Sequence, residues 1–238
     1  MDVKEEDVLG KDVGRHWYYR AKSRAMLRYV EPLSPTFILD IGAGSGFFSK
    51  ELLRRTTARE ALCIDTGYRS DEQQSVAGKP IRFRTHCGAV DADLVLMMDV
   101  LEHVNDDVGL LRDYAQKVPN GSHFLVTVPA FEFLWSSHDV FLEHKRRYTL
   151  SQVEALVRAA GLRVEVAAYY YGFVFPLAAV VRLLERLRPR DERQPRSQLR
   201  RHSFIANHIL GGICAGELPF LKLNRLVGLT VFCLASKQ

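Results

Sequence analysis

Short aliphatic runs alternate with stretches of helical periodicity along most of the chain. "TFILDIG" (36–42) reads as a strand, because its apolar residues run on without the three-to-four spacing of a helix, and "GFFSKELLRRT" (46–56) reads as the helix after it. "ALCID" (61–65) predicts a second strand, "IRFRT" (81–85) a weaker third, and "DLVLMMD" (93–99) a fourth, followed by a helical segment from about Asn105 to Val118. "HFLVTVP" (123–129) is the fifth strand, the amphipathic "SQVEALVRAAGL" from Ser151 a helix, "LRVEVAAYY" (162–170) the sixth strand and "GLTVFCLASK" (228–237) the last. Strands alternating with helices predict an α/β fold: a mostly parallel sheet of seven strands with helices on both faces. Ligands would then sit beyond the carboxyl ends of the strands, near the reversal in strand order. Residues 172–226 break the rhythm and predict helices inserted before the last strand, with a Pro/Arg/Gln-rich connector at 188–200.

The expected organisation is a helical cap at 1–30, a core at 31–171, the insertion at 172–226 and the final strand at 227–238. Composition narrows this little: 47% hydrophobic and 26% charged residues in a 238-residue chain exclude disordered and fibrous classes. Cys63, Cys87, Cys214 and Cys233 lie far apart without a CxxC, which argues against a zinc knuckle or disulfide scaffold and suits a reducing cytosol. The opening "MDVKEEDVLGKD" is too polar for a secretory signal. Charge adds more. Between Arg182 and Arg201 eight arginines face only Glu185, Asp191 and Glu192, so this segment holds the whole net charge of +5. The uncharged run before it, Val166–Val181, is broken by Gly172 and Pro176 and falls short of the roughly 20 residues of a membrane span.

The chemistry starts at "LDIGAGSGFFSKEL", where Gly42, Gly44 and Gly46 sit between a strand and a helix. Glycines there allow a tight turn and let a ligand reach bare backbone amides. A dinucleotide fingerprint would place its third glycine at 47, where Phe47 stands, and Asp40 inside the strand end would repel a pyrophosphate but welcome a cationic or zwitterionic ligand. The D-x-G-x-G-x-G pattern resembles motif I of the class I S-adenosylmethionine-dependent methyltransferases. "CIDTG", with Asp65 ending the second strand, and "MMDVLEHV" (97–104) after the fourth resemble further elements of that family in order. The resemblance covers roughly 10–172 plus the last strand. It implies a Rossmann-like sheet, S-adenosylmethionine as cofactor, and Gly42, Gly44 and Gly46 against its methionine part and ribose. Asp40 would lie near the amino group, Asp65 on the ribose, and Asp99 on the cofactor side. Family members often carry an acid after the third strand for the adenine; "RTHCGAV" has none, leaving Thr85, His86 or Cys87 to serve.

Two further segments, "HWYYRAKSR" (16–24) and "HDVFLEHKRRYT" (138–149), resemble parts of a set of bacterial class I methyltransferases often encoded near glycosyltransferases. By that resemblance Tyr18, Tyr19 and Arg20 close over the cofactor. His138, Asp139, His144, Arg146, Arg147 and Tyr148 line the acceptor side. Methyl transfer to oxygen or nitrogen can need a base with a near-neutral pKa, which makes His103, His138 and His144 the catalytic candidates. Arg146 or Arg147 could hold an anionic acceptor in bidentate fashion. Glu102 reads as a cap of the turn after the fourth strand, and Tyr148 alternatively as the staple of a helix opening at Thr149 or Ser151. His138, Asp139 and His144 match no zinc spacing, so no metal is expected.

The insertion colours the acceptor. Apolar "YYYGFVFPLAAVVRLLERL" before the arginines suits an interfacial element meeting anionic lipid, and "GELPFLKLNRLVGL" a hydrophobic lid. The expected activity is methylation of oxygen or nitrogen on a small or lipid-linked hydrophobic acceptor. The protein would be cytoplasmic and peripheral on the inner membrane face, with an anionic membrane contact through 172–201. Alternatives are an RNA-directed methyltransferase, although no (D/N)PP(Y/F)-like motif follows the fourth strand, and a non-catalytic S-adenosylmethionine-binding protein.

Overall fold

A computed structural model describes residues 10–186 and 204–238. The 188–200 connector and the acidic opening of the chain lie outside them. Eight strands form one sheet: β1 (Phe37–Ile41), β2 (Glu60–Ile64), β3 (Glu72–Val76), β4 (Lys79–Arg84), β5 (Leu94–Met98), β6 (His123–Pro129), β7 (Leu162–Tyr170) and β8 (Thr230–Lys237). Their order is β3-β4-β2-β1-β5-β6-β8-β7, parallel from β4 to β6, with β8 antiparallel to both β6 and β7. The order reverses between β1 and β5, so the crevice there is the place for a ligand.

The sheet has one strand more than its sequence predicts. β3 is polar "EQQSV", exposed at four of its five positions, and it pairs only with β4 at the sheet's edge. A tight turn through Ala77 and Gly78, both with positive φ, closes that hairpin. Burial, which makes strands legible as apolar runs, is missing there.

Among the described residues seven α-helices accompany the sheet: α1 (Trp17–Val30), α2 (Phe47–Arg55), α3 (Asp107–Gln116), α4 (Ser137–Phe141), α5 (Leu150–Ala159), α6 (Phe175–Arg186) and α7 (Phe204–Glu217). Alternation along the strands sorts two cores. Ile38, Cys63 and Leu96 pack with Tyr19, Met26, Leu52 and Cys214 from α1, α2 and α7. Leu39, Ile64 and Met97 pack with Leu111, Val153 and Val157 from α3 and α5 on the other face. α5 opens with a capping box in which Thr149 and Gln152 bond each other's backbone amides, so the helix start is Thr149 rather than Ser151. Among the described residues no helix is long and apolar enough to cross a membrane.

Candidate active site

The glycine turn leads from β1 into α2. Gly42, Gly44 and Gly46 have φ of 63°, 53° and 70°, the left-handed region that side chains avoid. A β-carbon on Gly42 would stand 2.7 Å from Val100, and one on Gly46 would meet Phe83 at 3.0 Å and Cys63 at 3.2 Å. Bare backbone is therefore demanded here by the fold itself. Asp65, just past β2, accepts from the amides of Gly44 (3.0 Å) and Gly67 (2.8 Å), which fixes its carboxylate beside the turn. Asp40 is 2% exposed and accepts from Ser49 Oγ at 2.7 Å. Burial pushes its carboxyl up to about 6 against the opposing effect of the Ser49 hydrogen bond.

At the end of β5 stands a charged cluster that the sequence only half revealed. Asp99, at φ 57°, donates its amide to the Thr127 carbonyl and accepts from Thr127 Oγ1 at 3.0 Å. Lys22 of α1, with a fully buried side chain, forms an ion pair with Asp99 and donates to Tyr18 Oη at 3.4 Å. Burial alone would lower the Lys22 ammonium, but the Asp99 carboxylate and Tyr18 outweigh it and hold the lysine charged. Burial equally opposes the charge on Asp99, and Lys22 wins there too, keeping that carboxyl below its usual range. Beside them Glu102 is fully buried and neither of its carboxylate oxygens has a hydrogen-bond partner. Burial and the Asp99 charge raise its carboxyl well above the normal range, which favours the neutral acid. Glu102 is thus not the cap expected of it; Asp106 caps α3, accepting from the Gly109 amide at 2.8 Å.

Lys22 has a sequence signal. It falls on the buried stripe Tyr19, Lys22, Met26, Tyr29 of α1, and a charge at a core position needs a buried partner. Tyr19, 2% exposed, packs on Phe47 and Phe48 and clamps α1 to the start of α2. Arg20 is exposed, and Lys22 is the cation of α1 that reaches the strand ends.

The loop from Ala130 to Thr149 follows β6, and of its "KRR" cations Arg147 is buried in the fold, Arg146 half-buried and Lys145 exposed. Asp139, fully buried, accepts from Ser136 N and Oγ, from Arg147 Nε (2.7 Å) and Nη2 (3.0 Å), and pairs with His144 Nδ1 at 2.9 Å. Burial would raise its carboxyl, but His144 and Arg147 outweigh burial and hold it far below the usual range. Arg147 donates from its third nitrogen, Nη1, to the Ala130 carbonyl at 3.0 Å. The Tyr148 hydroxyl donates to Asp107 Oδ2 (2.8 Å) and lies 3.1 Å from the Leu101 carbonyl. Arg146 binds Asp107 and the carbonyls of Val104 and Asn105, and Lys145 reaches Asn105. The structure therefore ties Asp139, Arg147 and Tyr148 into the loop's internal scaffold and Arg146 to the segment after β5. A guanidinium as buried as that of Arg147 must carry its counter-charge within the fold.

What the scaffold holds is His144. With Nδ1 facing a carboxylate, that nitrogen carries the proton and Nε2 is left as the basic one. Its ring, with the side chain 7% exposed, lies edge-on to His103 with centroids 4.8 Å apart. Among the described residues, ligand-capable atoms of Glu102, His103 and His144 lie within 4.8 Å of one another. His138, in the first turn of α4, is not part of that group. The turn of bare backbone, the carboxyls of Asp40, Asp65 and Asp99 around it, and a histidine cluster at the neighbouring strand ends suit a cationic, hydroxyl-bearing cofactor beside an acid–base site.

Comparison with known proteins agrees. Residues 15–166, more than half the chain, match a family model described as a methyltransferase domain. A ubiquinone biosynthesis O-methyltransferase from Parvibaculum lavamentivorans is 27% identical over 161 residues, or 58% of this chain; that match spans 63% of the relative's length. In fold, the chain is similar to a methyltransferase solved in complex with the Haloferax volcanii Trm112 methyltransferase activator (TM-score 0.57, 15% identity, 99% of this chain and 92% of that one). It is also similar to a SAM-dependent methyltransferase from Archaeoglobus fulgidus (TM-score 0.53, 15% identity, 99% and 98%). The family match and the glycine cradle together make this chain a member of the class I methyltransferases, with S-adenosylmethionine as its cofactor.

Proposed function

We propose that the protein methylates a hydroxyl oxygen on a hydrophobic, lipid-linked acceptor presented at an anionic membrane face, with His144 as the base. The observation that supports His144 as the base is the buried Asp139–His144 pair, 2.9 Å apart and locked by Arg147. S-adenosylmethionine, when bound, supplies an electrophilic methyl group. Gly42, Gly44, Gly46 and Asp65 would bind it through backbone and ribose, and Asp40 and Asp99 would face its positive charge. The chain's own part is alignment and proton transfer. Nε2 of His144 would take the hydroxyl proton as the carbon–sulfur bond gives way to carbon–oxygen and the sulfur leaves as a neutral thioether, and the Asp139 carboxylate would stabilise the imidazolium that results. His103, edge-on to His144, holds that ring in place. Arg147 is a positioning residue acting through Asp139. Oxygen rather than nitrogen is favoured by the O-methyltransferase relative.

The test is uptake of labelled methyl from S-adenosylmethionine by membrane extract, with an RNA fraction as the comparison. His144→Gln should reduce turnover by about 10²–10³ while cofactor affinity by calorimetry stays unchanged. Undiminished turnover in that variant, or label entering only RNA, would overturn the proposal.

A further inference from the structure

Among the described residues, thirteen of the fifteen exposed large hydrophobic side chains lie between Phe173 and Val227. They are ordered. On α6, Leu177, Val180, Val181 and Leu184 recur at helical spacing on the outer face. The inner side of that helix is already used, since Phe175 packs on Phe131 and Arg182 donates to the Leu134 carbonyl. On α7, Ile205, Ile209 and Ile213 form a second outward stripe, while Cys214 is buried and Asn207 accepts from the Trp17 amide at 2.7 Å. Leu223 and Leu226, 77% and 82% exposed, extend it past the helix. Soluble helices put such stripes inward; here packing holds both helices with the stripes outward, covered by none of the described residues.

We infer that α6, α7 and the 218–227 segment form a docking face for an anionic lipid bilayer; this deepens the lipid-linked acceptor reading and rests on it. Charge selects this occupant. The chain between the two helices belongs to the run from Arg182 to Arg201, with eight arginines against three acids, equal to the protein's entire net charge of +5. Aliphatic side chains beside a cationic run match the acyl boundary and anionic headgroups of a bilayer.

Vesicle flotation of the full chain tests it. Wild type should float with vesicles of phosphatidylcholine and phosphatidylglycerol at low salt, and much less with phosphatidylcholine alone or at high salt. Val181→Asp with Leu184→Asp, and separately Ile209→Asp with Ile213→Asp, should each cut the bound fraction at least about fivefold without moving the melting temperature, because the four positions face solvent. His144→Gln should float as wild type does, so failed chemistry and failed docking are told apart. Absence of flotation by wild type, flotation unchanged in both aspartate variants, or a dimer by light scattering that the same variants dissociate would each overturn the inference.

Discussion

Lys22 couples the helix that covers the site to the strand ends that build it. Removing one partner of a buried ion pair costs about 3–5 kcal/mol. The Asp99 side chain keeps 27% exposure, so Lys22→Met should cost nearer about 2–3 kcal/mol by urea denaturation. Lys22→Met combined with Asp99→Asn should regain more than half of that, whereas additive losses in the double variant would show that the two residues do not act as a pair. Asp40 makes a second residue-scale prediction. Its carboxyl, pushed up to about 6, must ionise to hold a cationic amino group, so cofactor affinity should rise with pH through 6 and Asp40→Asn should flatten that rise. Calorimetry across pH 5–8 checks it; a step that survives in Asp40→Asn excludes this carboxyl as its source. The sequence offered Asp40, Asp65 and the glycines because their spacing is local. The pairing of Arg147 with Asp139 was not legible, because nothing marks a counter-charge eight positions away, and Glu102 read as a cap because its burial has no local signature.

At the scale of elements, the turn from β1 to α2 is the least tolerant segment. Gly42→Ala meets both the strain of φ 63° and the Val100 side chain at 2.7 Å. It should lose about 1–3 kcal/mol of stability and most cofactor binding. Adding Val100→Ala removes the clash but not the strain, so it should restore part of the stability only; full recovery would show that sterics alone had mattered. Most strands were legible to within two residues, because strands buried on both faces read as unbroken apolar runs. β3 was not, since an exposed edge strand of "EQQSV" has no apolar signature and depends on its hairpin turn. The outward stripe of α6 falls in the segment read as interfacial, but that of α7 was not singled out: periodicity shows that a helix has an apolar face, not whether anything in the same chain covers it.

For the whole molecule, buried carboxyls set how stability answers to pH. Asp40 and Glu102 are raised, so the folded state keeps their protons where the unfolded chain has lost them, and stability falls as pH rises. For Asp40 that loss runs from the unfolded value of 3.8 to about 6 and is complete above it. Asp139 is lowered, so its contribution is present above its unfolded value and disappears as pH falls below it. The urea midpoint should therefore peak between about pH 4 and 5 and decline toward neutrality, a decline that Asp40→Asn should reduce. A midpoint that climbs steadily to pH 7 would contradict this. One consequence of topology concerns how the molecule is made. β7 pairs with no described strand but β8, and β8 is also what seals the open side of β6. On the ribosome, more than half of the sheet can assemble while two strand edges wait for residues 230–237 to emerge. Any pause or truncation before Thr230 leaves those edges available to other nascent chains, so an interrupted message for this protein should yield aggregates rather than a smaller working enzyme.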